Sequence, residues 1–250
     1  RRGKTEHAEF TGKSFAGYQA WFGTGTQKTS WGHYDYGKAE EDGTSWPRKD
    51  HISIDYFPYV KDYDESALAQ TGFDNLGSGE PTKLYDSTNE NVINTHFKWM
   101  NQYGIDGAAI QRFAGTIKGR TLYNDPQDTL LYKMKTAAEN NNSLFYIMYD
   151  ISGGDQIKDK TDDTTISSWV EDIKFDWVYN IEKQLQMTNS DAYATVDGKP
   201  VVCLWGTAVS GRPDRVVDYQ EMIDFFHKRG CYVIFGVGRD WSTNTATMAK

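Results

Sequence analysis

Gly104-Ile105-Asp106-Gly107-Ala108-Ala109-Ile110-Gln111-Arg112-Phe113 is the stretch on which the fold turns. Its first half reads as a tight connection, two glycines around an Asp, where the chain reverses without a Cβ in the way. Its middle, Ala108-Ala109-Ile110, is the short apolar run that a strand buried on both faces requires. Polarity then changes abruptly at Gln111 and Arg112. In parallel α/β sheets the carboxyl ends of the strands line the site, so these two residues are candidates for binding; the alternative for Arg112 is an ion pair that serves only the scaffold.

The same alternation runs outward in both directions. Upstream, Phe15 to Phe22 reads as the first core strand, and residues 1–13 as a flexible polar tail. Ser87-x-x-Glu90 has the form of a capping box, followed by Val92, Ile93, His96, Phe97 and Met100 at helical spacing. Downstream, Pro126 suits the first position of a second helix, and Leu144 to Tyr149 is a buried strand ending in Asp150. A third helix carries Ile166, Trp169, Ile173, Trp177, Ile181 and Leu185 on one stripe. Val201 to Trp205 is the next strand, Pro213 opens a fourth helix that Gly230 closes, and Cys231 to Val237 is the last strand.

Strands alternating with helices of this length mean βαβ units and a parallel sheet. The fold class is α/β, a (β/α)8 TIM-type barrel, with five strands visible and a sixth at Ile52 to Phe57 if its alternation counts. A closed barrel has eight, so the expectation is one barrel domain over residues 14–250 lacking its last βα units in this chain. Residues 23–88 form a long excursion rich in Gly, Asp, Tyr and Trp. An excursion of that length inside a domain is usually functional, and it reads as the wall of a binding site.

Charge and composition narrow the partners. A net charge of −8 argues against nucleic acid, and no apolar stretch reaches the ~20 residues of a membrane span. Neither a CxxC nor an HExxH pattern occurs, so no structural or catalytic zinc is expected. Cys203 and Cys231 sit in apolar runs and read as buried free thiols. Aromatic residues make up 14% of the chain, with 8 Trp and 16 Tyr, and rings of this kind suit stacking on sugar faces.

Each core strand ends in something polar or aromatic: Trp21, then Gln111 and Arg112, then Tyr149 and Asp150, then Trp205, then Arg239 and Trp241. Gathered on one rim, these would make a carbohydrate-type cleft; the alternative is that the rings cap the core and Asp150 caps a turn. His33, in Trp31-Gly32-His33-Tyr34, is a candidate hydrogen-bond donor to substrate, whereas His96 lies on an apolar helix stripe and reads as a core histidine. Asp55 and Asp150 could form a carboxylate pair of the kind glycoside hydrolysis uses. The acidic run from Asp155 to Asp163 reads as a solvated loop, with weak calcium binding a distant alternative.

Several colinear blocks resemble glycoside hydrolase family 99, the endo-acting α-mannosidases and α-mannanases, and its barrel relatives. They are Gly17-Tyr18-Gln19-Ala20-Trp21-Phe22, Trp31-Gly32-His33-Tyr34, Ile54-Asp55-Tyr56-Phe57-Pro58, His96 through Phe113, Ile147 through Gly153, and Gly198 through Gly206. The resemblance covers about residues 15–241. Tyr34 and Tyr59 depart from the family's usual Trp and Asp, which leaves the sugar open. The family's two catalytic glutamates lie in a late-barrel segment that has no counterpart before Lys250, so no catalytic residue is assigned.

The resemblance implies a retaining hydrolase of α-mannosidic linkages in mannan or mannose-containing glycans, without metal or organic cofactor. In it one glutamate acts as acid and then base, while the other deprotonates the sugar's 2-hydroxyl. It further implies an extracytoplasmic, monomeric protein, although no signal peptide is present in this sequence. The expected substrate-binding set is Tyr18, Trp21, His33, Asp55, Gln111, Arg112, Tyr149, Asp150, Trp205, Arg239 and Trp241. A glycan-binding protein without catalysis, or a related α-glycosidase acting on another sugar or in exo mode, fits the same residues.

Overall fold

A computed structural model describes residues 8–25, 31–35, 46–119, 126–159, 161–207 and 209–239 of the chain. In chain order the elements are β1 (Phe15–Tyr18), β2 (Leu68–Gln70), β3 (Lys83–Tyr85), α1 (Glu90–Gln102), β4 (Gly107–Phe113) and α2 (Pro126–Asn140). Then come β5 (Leu144–Asp150), α3 (Ser168–Phe175), β6 (Thr195–Val196), β7 (Lys199–Thr207), α4 (Val216–Lys228) and β8 (Tyr232–Val237). Two compact units result, one of residues 1–19 and 100–250, the other of residues 20–99.

In the larger unit β1, β4, β5, β7 and β8 lie side by side and all parallel, in chain order. This is the α/β barrel architecture with five of its strands. Parallel strands bury both faces, which is why their sequences are apolar runs. Ile110, Ile147 and Val202 stand in one row of the register and Arg112, Tyr149 and Leu204 in the next. All six share the side that packs on the helices. The intervening residues Gln111, Met148 and Cys203, then Phe113, Asp150 and Trp205, occupy the opposite side.

The two glycines of the Gly104 to Phe113 stretch serve different needs. Gly104 adopts φ +77° where α1 ends, while at Gly107 a Cβ would lie 2.2 Å from the Leu144 carbonyl oxygen across the strand pair. Between them the Asp106 carboxylate accepts the Ser14 N–H (2.8 Å) and hydroxyl (3.2 Å), fixing the start of β1 against β4. These bonds hold its pKa below the usual carboxylate value. The expected loose tail is anchored from residue 8 onward. Phe10 donates its N–H to the Thr195 carbonyl at 2.7 Å and stacks on Phe15, because an apolar ring there has sheet to cover.

Several boundaries differ from expectation, the first being β1, which ends at Tyr18 and not at Phe22. The cap of α1 is Asn89, whose side chain accepts the Asn91 N–H at 2.9 Å, not Ser87; an Ncap oxygen reaches N2 or N3 and Asn89 stands directly before the helix. The fourth helix begins at Val216, three residues beyond Pro213. The strand ending at Trp205 continues to Thr207 through a register shift at Gly206. Asp197-Gly198, with φ +49° and +75°, forms the two-residue turn joining β6 to β7, as a type I′ hairpin requires.

The stripe Trp169, Ile173, Trp177, Ile181, Leu185 repeats every fourth residue. In an α-helix each such step drifts by about 40°, so five could not share one face. The chain resolves this by passing from α3 into a π-helical segment, Asp176–Gln184, whose wider turns reverse the drift. All five side chains are buried.

The smaller unit contains the β2–β3 antiparallel pair and two apolar clusters. Trp31, Tyr34 and Leu84 form one, with Trp46, Ile52 and Ile54 packed on it; Tyr63, Ala67 and Val92 form the other. Ile52 to Phe57 is not a strand. Ile52 and Ile54 pack inward, but Tyr56 and Phe57 are both exposed, and among the described residues no partner strand meets them.

His96 is a core histidine, as its place on the apolar stripe suggests. Its Nε2 lies 2.8 Å from the Tyr63 hydroxyl, among the rings of Tyr85 and Trp99, and burial lowers its pKa to about 4. The folded chain therefore keeps His96 neutral where the unfolded chain would protonate it. Its contribution is complete above about pH 6.5 and is lost as pH falls toward 4, by about 3 kcal/mol at pH 4. Urea unfolding at pH 7 and pH 4.5 should show this fall, and His96→Gln should flatten it; an unchanged pH slope in the variant would remove His96 as its source.

Candidate functional site

The carboxyl ends of β4, β5 and β7 converge on Asp150, the last residue of β5. Its side chain is 4% exposed, and both oxygens are engaged. Oδ2 accepts from Gln111 Nε2 at 2.5 Å. Oδ1 accepts the Ser152 N–H at 2.8 Å and pairs with Arg212 Nη1 from the loop between β7 and α4. A carboxylate that accepts three hydrogen bonds is fixed in place and orients its neighbours Gln111 and Arg212.

Two glycines make room for this arrangement. Gly206, at φ +95°, lets Arg212 cross the end of β7: a Cβ there would lie 2.5 Å from Arg212 Nη1 and 2.7 Å from Cδ. Gly236 on β8 does the same for Trp205, since a Cβ would meet the indole at 1.9 Å. Trp205 thus lies over β8 beside its register partner Asp150, and it is 43% exposed. An indole held flat by backbone yet open to solvent is a stacking face. Gln111 and Arg212 supply N–H donors at the same strand ends.

Arg112 and Tyr149 belong elsewhere, and the expectation that they line the cleft is corrected. Strand side chains alternate, so each points away from its neighbour Gln111 or Asp150. Arg112, 3% exposed, donates from Nε and Nη2 to Asp176 at 2.7 and 2.5 Å and from Nη2 to Asp128 at 2.6 Å. Tyr149 donates its hydroxyl to Asp176 at 2.7 Å, and Asn180 Nδ2 donates to the same carboxylate at 2.8 Å. Burial opposes the charge of Arg112, but Asp176 outweighs it and raises the guanidinium pKa above its ordinary value. Burial, reinforced by Asp176, keeps the Tyr149 phenol protonated.

Tyr18 is also corrected: it is register partner of Ile110, on the helix-facing side, and 8% exposed. Trp21 and His33 lie in the unit of residues 20–99, with rings stacked at 4.2 Å and 19°; Trp21 is 40% exposed. His33 takes φ +60°, and partial burial lowers its pKa. Asp55 is exposed in that same unit, and Arg239 is exposed beyond the end of β8. Trp241 lies outside the described residues.

Sequence reading missed Arg212. The available signal was the loop Gly206 to Pro213, with two glycines and an arginine directly after a core strand.

Among the described residues no group of three His, Cys, Asp or Glu side chains could hold a metal ion, and no helix is long and apolar enough to cross a membrane. Both cysteines are buried and unbridged, and burial pushes each thiol up to about 12.

No family model matches the chain, and no curated protein matches it. Twelve chains of solved structure do match. One is the structure of the GH99 endo-alpha-mannosidase from Bacteroides thetaiotaomicron, with a TM-score of 0.50 and 10% sequence identity. The match covers 93% of this chain and 57% of that one, so the chain spans less than two thirds of the protein whose fold it shares.

Proposed function

We propose that the chain forms the sugar-binding rim of a glycosidase-type α/β barrel, taking α-mannosidic or closely related glycans, with retaining cleavage as in glycoside hydrolase family 99. The observation that carries this reading is the exposed indole of Trp205 on Gly236, beside the Asp150-anchored donors of Gln111 and Arg212. A flat apolar face next to fixed hydrogen-bond donors matches a pyranose, which presents C–H bonds on one face and hydroxyls at its edge. The described solved structure, an endo-alpha-mannosidase, supports the choice of sugar. A glycan-binding protein without hydrolysis is the second reading, favoured by the three hydrogen bonds that tie Asp150 to Gln111, Ser152 and Arg212.

Fluorescence titration with α-linked mannobioses tests both. Saturable quenching is expected, and Trp205→Ala should weaken it by about fivefold to tenfold, the worth of one aromatic contact. Unchanged affinity in the variant would place the sugar elsewhere. Chromatography of the products then separates the readings, since only the glycosidase releases shorter sugars.

A further inference from the structure

We infer that Arg212 is the arginine that meets the ligand, and that its pairing with Asp150 makes the site selective for uncharged sugars over acidic ones. This rests on the sugar-binding reading above and adds to it which residue selects and against what.

Three observations converge. Arg212 is 25% exposed on a carboxylate that is itself 4% exposed, so its guanidinium is held at Nη1 while a quarter of the side chain stays open to solvent. Its stem lies along Gly206, whose missing Cβ and φ of +95° serve that crossing. Among the described residues Arg212 makes no side-chain hydrogen bond besides that to Asp150, so Nε and Nη2 keep their donors. Arg112, by contrast, spends its fork on Asp176 and Asp128.

The charges decide the ligand. Asp150 and Arg212 form a close pair whose net charge is zero, and Gln111 adds a neutral donor. Such a site offers directed N–H groups to hydroxyl oxygens with no positive charge left to reward a carboxylate or phosphate. An acidic sugar would have to give up its hydration and approach Asp150 without compensation. Binding should also vary little with salt, because a neutral ligand at a neutral pair has no long-range term to screen.

The test is a titration of the intact chain with α-mannobiose and with its mannuronate analogue, at low and high salt, using wild type and three variants. Wild type should bind mannobiose at least about tenfold more tightly than the acidic analogue, with little change on adding salt. Arg212→Met should lose roughly tenfold to a hundredfold toward mannobiose, the worth of one charge-assisted hydrogen bond. If that variant fails to fold because Asp150 loses its partner, Asp150→Asn/Arg212→Met removes both charges and should show the same loss. Asp150→Asn alone frees the guanidinium charge and should shift preference toward mannuronate, with binding that now falls with salt.

Mannobiose affinity unchanged in the double variant would overturn the inference, as would wild-type preference for the acidic analogue. If Trp205→Ala weakens binding while the Arg212 variants do not, the sugar-binding reading stands and this one fails. If wild type binds no sugar, both fail.

Discussion

Replacing Arg112 by Met should lower the free energy of unfolding by about 3–5 kcal/mol, because it leaves Asp176 and Asp128 charged, buried and without their cation. The side chains of these carboxylates are 2% and 1% exposed, so water cannot take over the role of the guanidinium. At about 2–4 °C per kcal/mol for a chain of this size, the melting midpoint should fall on the order of 10 °C. Sugar binding per folded molecule should stay the same, since the side chain points into the helix layer. Position alone suggested the reverse, a residue of the cleft whose loss weakens function and spares stability. Differential scanning calorimetry together with the mannobiose titration decides between them. A variant that melts like wild type but binds poorly would return Arg112 to the cleft.

Gly206→Ala is expected to damage both properties at once. An L-residue at φ +95° is strained, at about 1–3 kcal/mol. The new methyl also meets Arg212 Nη1 and Cδ at 2.5 and 2.7 Å. Arg212 is a long side chain that could swing aside, but doing so leaves the buried Asp150 carboxylate without its cation, a further loss of about 3 kcal/mol or more. A double-mutant cycle separates the two terms. In an Asp150→Asn/Arg212→Met background, Gly206→Ala should retain only the backbone strain. If it is equally damaging with and without Arg212, the glycine is needed for its backbone conformation alone and does not position the arginine.

The strands were legible because a parallel strand buried on both faces must be apolar over several consecutive residues, as in Ala108 to Ile110 and Leu144 to Tyr149. That same property hid the site. Where both faces are apolar the period of two carries no phase, so nothing in the run says whether Gln111 or Arg112 faces the helices. Its place at a strand end made Arg112 a candidate binder, and its true partners could not be seen. Asp128 and Asp176 are ordinary polar positions within amphipathic helices, 16 and 64 residues away. Tyr149 and Asp150 posed the same ambiguity. Arg212 was overlooked for the opposite reason: its loop has no periodicity at all, and only contact across the strand ends gives the residue a role. In the unit of residues 20–99, Ile52 and Ile54 alternate like a strand, yet they pack as two isolated side chains.

The passage from α3 into the π-helical segment Asp176–Gln184 bears on how this chain is to be aligned with others. A π turn holds one more residue than an α turn over a similar length of axis. Equivalent positions before and after it are therefore offset against any relative whose helix stays α throughout. An ungapped comparison would then match Trp177 or Ile181 to a position on a different face, and Asp176 to a residue that does not reach β4. Opening a single gap inside residues 176–184 restores the correspondence, and an alignment built on coordinates will find it where one built on letters will not.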